Sequence, residues 1–314
     1  MRPITWLLSL TLAFSTSTFA QPLKVGISLV DLSNPFFAIL AEEISHQLKA
    51  EQAVEILLHS SAYNLDKQVH QLDDFIQQNV DIIFVAASES EAIAPIVKRA
   101  KAEGIIVVAV DIESSGADIV ITSDNIQAGN IACHHLIAQV GKNSKVAIIN
   151  GQPISSVINR VIGCKQAISA YPDVELVSST HNSSGTFSGG LESMTYLLIE
   201  HPDLDGVFTI NDLAGLGALE ATTHQHANQV KIVSVDASPD FQSQLKTNST
   251  SNFIASTAQF PRVIAQRAVS LAVERWKQNT SHSETNSPPI TELIQTRLVT
   301  RDNLNNFANW ELRH

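Results

Sequence analysis

The chain is short of positive charge. Its 20 Lys and Arg face 31 Asp and Glu, a formal net charge of −11 at pH 7. A nucleic-acid-binding surface needs clustered Lys and Arg, so this balance sets that class aside. An uncharged ligand or a cation suits it better than a polyanion. Cysteine is scarce too: Cys133 and Cys164 stand alone, outside any C-x-x-C spacing. His134-His135 falls in a helical pattern that points the two rings apart, and His224-x-His226 straddles a helix end. No metal site is expected from them, since structural zinc wants four convergent ligands. There is no G-x-S-x-G elbow, P-loop or H-E-x-x-H. The glycine-rich run Gly185-Thr186-Phe187-Ser188-Gly189 lacks a phosphate-loop Lys and reads as a helix entry. With no nucleophile–base pair to be found, the chain is read as a non-enzyme without cofactors.

Long apolar runs are missing as well. The longest, over residues 4–14, is too short to cross a bilayer. With Arg2 before it and the small residues Thr18 and Ala20 after it, the run has the layout of a secretory signal cut after Ala20. No Cys follows that cut, so a lipid anchor is not expected. The expectation is an exported, periplasmic protein. Export also makes a disulfide chemically available.

What is present is alternation. Short runs rich in Val and Ile predict strands over 23–30, 54–59, 82–86, 105–110, 119–122, 145–150, 175–179, 207–210, 231–235 and 254–259. Strands buried on both faces of a parallel sheet have this composition. Helical patterns separate them over 38–49, 65–78, 91–102, 128–140, 158–170, 190–201 and 213–224. Such alternation predicts an α/β fold with doubly wound parallel sheets. The pattern runs twice, over 23–122 and 145–258, with Ser123-Asp124-Asn125 as a crossover. Residues 278–289 read as a surface loop. The polar tail after Arg301 has no assigned place. Cys133 and Cys164 fall on helices either side of the strand at 145–150. Such helices are neighbours on one face of a doubly wound sheet, so the two cysteines are expected to bond.

Polar side chains gather where strands end. Asn34-Pro35-Phe36-Phe37 follows the first strand and Asp111 the fourth. In the second half come Arg160 after the first strand, then Asn211-Asp212, Asp236 and Gln259. Open α/β sheets bind ligands at that edge. Amides, carboxylates and an Arg can exchange hydrogen bonds with vicinal hydroxyls while a ring covers a C–H face. Each residue alone has a plainer reading: Asn211 and Asp212 as helix caps, Asp111 and Asp236 as turn residues, Arg160 as a solvated helical Arg. Their recurrence at matching strand ends favours one site.

These residues, with His201-Pro202-Asp203 and Leu298-Val299-Thr300, resemble the ribose-type periplasmic sugar-binding proteins, and the likeness covers nearly all of the mature chain. The resemblance implies a type I periplasmic binding protein of two lobes joined by a three-strand hinge. One lobe spans 21–124 and about 260–293, the other 125–259 and about 294–301, with 302–314 as a tail. It implies that Asn34, Phe36, Phe37, Asp111, Arg160, Asn211, Asp236 and Gln259 contact a monosaccharide-like ligand. It implies a monomer that delivers the ligand to an ABC transporter permease, or alternatively docks on a membrane histidine kinase or chemoreceptor. Two positions depart from the family pattern. Ile112 stands where an Arg commonly follows the first-lobe Asp, and Gly185 where ribose binders carry a stacking Phe. Phe187 is the expected substitute ring, and the ligand is expected to be a deoxysugar, polyol, furanose or non-sugar molecule.

Overall fold

A computed structural model describes residues 22–51, 53–281, 288–307 and 310. The expected signal segment, part of the 278–289 loop and most of the tail beyond 307 lie outside these. The first half runs β1 (Leu23–Leu29), α1 (Pro35–Glu51), β2 (Val54–Ser60), α2 (Leu65–Gln77), β3 (Ile82–Val85), α3 (Ala94–Ala102), β4 (Ile106–Val110) and β5 (Ile119–Ser123). The second runs α4 (Asn125–Val140), β6 (Lys145–Ile149), α5 (Ser155–Ser169), β7 (Glu175–Ser178), α6 (Phe187–Glu200), β8 (Gly206–Thr209), α7 (Asp212–His224), β9 (Lys231–Asp236), α8 (Pro239–Thr247) and β10 (Phe253–Ala258). The chain then returns through α9 (Pro261–Ser281) and β11 (Ile290–Ile294) before β12 (Arg297–Thr300).

Two six-stranded sheets result, in the orders β2-β1-β3-β4-β5-β11 and β7-β6-β8-β9-β10-β12. All pairings are parallel except β10 with β12. The chain passes between sheets three times: after β5, after β10, and between β11 and β12. The inner strands β3 and β4 are buried at every position, as two-sided burial of Ile and Val requires. In both sheets the order reverses beside the first strand, which opens a crevice at the C-terminal strand ends. The helical ends are set by caps. Asp124, in the first crossover, accepts the Gln127 N–H and starts α4. Asn64, Thr186 and Ser238 start α2, α6 and α8 the same way.

Residues 278–281 belong to α9, not to a loop: the helix carries through Gln278, whose side chain meets Glu274 one turn earlier. In the second lobe α4 and α5 pack with almost no side-chain spacing. A Cβ on Gly129 would overlap the Arg160 carbonyl, and one on Gly163 the Ile126 carbonyl. One turn past Gly129 and one residue past Gly163, Cys133 and Cys164 are joined in a disulfide, with Cα atoms 5.1 Å apart. The bond closes a loop of 31 residues, for which chain entropy gives about 3–4 kcal/mol of stabilisation. Dithiothreitol, or the double change Cys133→Ala and Cys164→Ala, should lower stability by about that amount in a urea melt. Identical melts with and without reductant would mean that the glycine-packed crossing holds without the bond.

Candidate functional site

The two sheets present their C-terminal strand ends to a shared cleft lined by residues from both. Asn34, Phe36, Phe37, Asp111, Arg160, Asn211, Asp236 and Gln259 all line it. Phe187 does not. It is the first residue of α6, 44% exposed, and its backbone carbonyl lies under Gly217. Gly185 does line the cleft, at φ +71°, a conformation that suits glycine. Its carbonyl accepts a hydrogen bond from the Asn211 side chain at 2.8 Å. Ile112 is fully buried in the first-lobe core.

The first-lobe wall is largely set by the start of α1. Asn34 Oδ1 accepts the Phe36 N–H at 3.0 Å, and the Asn34 carbonyl accepts the Ala38 N–H. Pro35 has no N–H to lose at a first helical position, so the helix begins earlier than its apolar periodicity indicates. The capped turn fixes Phe36 and Phe37 edge to face, centroids 5.3 Å apart. Asp111 follows β4 at φ +63°, and Tyr63 follows β2 at φ +56°. Both turns aim side chains at the cleft.

Arg160 dominates the second wall and is nearly buried. Its Nε donates to Asn125 Oδ1 at 2.9 Å and one terminal nitrogen donates to the Ile210 carbonyl at 2.9 Å. The same nitrogen lies 3.7 Å from Asp236 Oδ1. Asp236 Oδ1 also accepts Gln259 Nε2 at 2.7 Å. Behind it, Asp212 is buried outside the cleft lining, where it accepts from Ser234, Ser256 and the Ser238 N–H. Asn211 caps α7, accepting the Ala214 N–H at 3.0 Å while also lining the cleft. The capping and binding readings of Asn211 therefore coexist.

Three carboxyl groups share this region and all are pushed upward. Burial raises Asp111 to about 6, with Arg160 opposing and Asp236 adding to the effect. Burial and then Asp236 raise Asp212 to about 7. Asp236 is raised by burial, against the pull of Arg160 and Gln259. The Tyr63 phenol is also raised, first by burial and then by nearby Asp31 and Asp111.

The sequence reading missed several lining groups: Tyr63, Gln152, Ile154, Ser156, Val157, Ser184 and Ile210. It also missed Asn125, which orients Arg160, and Trp310. The buried Trp310 indole lies edge-on to Phe36, centroids 5.6 Å apart. Its Nε1 donates to the carbonyls of Asp236 at 3.2 Å and Gln259 at 3.1 Å, and Arg262 Nε holds the Trp310 carbonyl at 2.8 Å. One indole thus pins the backbone of two cleft residues. Trp310→Phe keeps a ring there and removes the donor. The Gln259 carbonyl loses its partner, so a thermal melt should register a cost of about 1–2 kcal/mol. An unchanged melt would make those two bonds energetically silent.

Comparison with known proteins gives consistent likenesses. A family model described as the periplasmic binding protein domain matches residues 25–280. The ribose import binding protein of Bacillus subtilis is 30% identical over 260 residues, which cover 82% of this chain and 83% of that protein. The D-apiose import binding protein of Paraburkholderia graminis is 25% identical over 312 residues, 97% of this chain and 96% of that protein. In fold, an ABC transporter solute binding protein from Burkholderia graminis, solved in complex with D-arabinose, has a TM-score of 0.81 at 21% identity. That match covers 91% of this chain and 98% of the other.

Proposed function

The chain belongs to the ribose-type periplasmic binding protein family, and from that premise we propose that it captures a monosaccharide or polyol between its lobes and hands it to an ABC importer. The observation that carries this reading is the convergence of eight residues from both lobes on one cleft. They supply one guanidinium, two carboxylates, three amides and two rings, a set suited to hydroxyls and C–H faces. Relatives named as import binding proteins for ribose and D-apiose favour a small sugar. Export to the periplasm follows from the same reading.

The groups are divided between two walls, so a ligand that engages both stabilises the closed arrangement over the open one. Hinge closure is then the form offered to the permease. A thermal-shift panel of pentoses, hexoses, furanoses, deoxysugars and polyols tests the reading. A ligand at a hundred times its Kd adds about 2.7 kcal/mol, a clear rise in Tm. Silence across the whole panel would reject sugar capture.

A further inference from the structure

We infer that the ligand carries a protonated amine, as an amino sugar or amino polyol does, and that its ammonium sits against Asp111; this rests on the sugar-capture reading of the cleft. The two cleft carboxylates, Asp111 and Asp236, face one lining cation, Arg160. Arg160 is committed to the second lobe, to Asn125, Ile210 and Asp236. Asp111, on the opposite wall, is 4% exposed and its Oδ1 has no hydrogen-bond partner. Gln259 Oε1, also in the lining and 2% exposed, is a second buried acceptor without a donor. The neighbouring position that could have brought a cation to Asp111 is Ile112, which is packed into the core.

A buried carboxylate is costly unless it is matched in charge and in hydrogen bonds. Both missing partners are donors, and the unmatched charge is negative. A hydroxyl offers one donor and no charge, whereas an ammonium offers three donors and the missing positive charge. An anionic ligand such as a sugar acid or sugar phosphate would add to the excess. The charged groups that act on Asp111 are Arg160 from α5 and Asp236 from the end of β9, and Asp111 in turn acts on the Tyr63 phenol from the turn after β2.

The test is calorimetric titration with matched pairs differing by one group: glucose and glucosamine, sorbitol and 1-amino-1-deoxysorbitol, xylitol and 1-amino-1-deoxyxylitol. At pH 7.5 the amine of at least one pair should bind about tenfold or more tighter than its neutral partner. Because Asp111 takes up a proton near pH 6, the amine should lose up to about tenfold in affinity between pH 7.5 and 5. Asp111→Asn should bring the amine-to-neutral ratio to about one. Neutral members that bind as tightly as the amines, or a ratio untouched by Asp111→Asn, would overturn the amine assignment and leave sugar capture standing. If no member of any pair binds and the wider sugar panel is silent too, both readings fall together.

Discussion

Arg160→Ala should cost on the order of 10²–10³-fold in affinity for whichever ligand stabilises the wild-type protein, because truncating one side of a buried, hydrogen-bonded charge cluster typically costs 2–5 kcal/mol. The loss has two sources. The ligand loses the guanidinium, and the wall that would receive it is disordered in its hydrogen bonding. Asn125 Oδ1 and the Ile210 carbonyl are left without their donor, and Asp236 without its cation. The ligand-free protein should also lose about 3–5 kcal/mol at neutral pH, as breaking a buried pair does. Arg160→Lys should recover only part of either loss, since a point charge cannot serve Asn125 and Ile210 from a rigid planar fork. Calorimetry and urea melts on the two variants separate the effects. Affinity within threefold of wild type for Arg160→Ala would place the ligand elsewhere in the molecule.

The ligand-free protein should be more stable at pH 5 than at pH 7.5. Asp111 titrates near 6 and Asp212 near 7 in the folded chain, against an ordinary value of 3.8 when unfolded. Above 3.8 the unfolded chain has released protons that the folded chain still holds. Stability therefore falls as pH rises through this window, and the full penalty is in place above about 7. At about 1.4 kcal/mol per pKa unit, the two groups together favour pH 5 over pH 7.5 by about 4 kcal/mol. Half-buried His135 opposes this. Burial lowers its pKa, so the unfolded state gains protons first as pH drops below 6.5. Glu43, held below its usual 4.5 by Gln266, Gln47 and Arg262 against its own burial, weakens the fold only in stronger acid. Melts from pH 4 to 8 should thus show stability falling from the acid side toward neutrality, and Asp212→Asn should flatten that fall. A curve that climbs steadily to pH 7.5 would mean that these carboxyls are solvated.

Much of this arrangement was legible in the chain because doubly wound sheets put function at a predictable address. Reading the residue after each strand led to Asn34, Asp111, Asn211, Asp236 and Gln259 without any knowledge of distances. The same rule reaches Tyr63 after β2, had it been applied there. Arg160 was legible only jointly with the others, since one helical Arg carries no sign of burial. Phe187 is absent from the cleft lining: it opens α6 and is 44% exposed, which a ring's place in the sequence cannot reveal. The return elements were harder. The last turn of α9 reads Gln-Asn-Thr-Ser, whose last three residues are weak helix formers that resemble a loop, and β11 is only half-buried, which blurs its apolar signal. Nothing local links Trp310 to Asp236, 74 residues earlier, so that contact belongs to tertiary structure alone.

The same indole gives the protein a native optical signal. Among the described residues the other tryptophan is Trp276, on α9 and remote from the cleft lining. Trp310 rests on a cleft ring and bonds to carbonyls at the ends of two second-lobe strands. Its emission is therefore set by the polarity and geometry of the region that a ligand must rearrange. Lobe closure should be readable as a shift in intrinsic fluorescence, without a dye or a label.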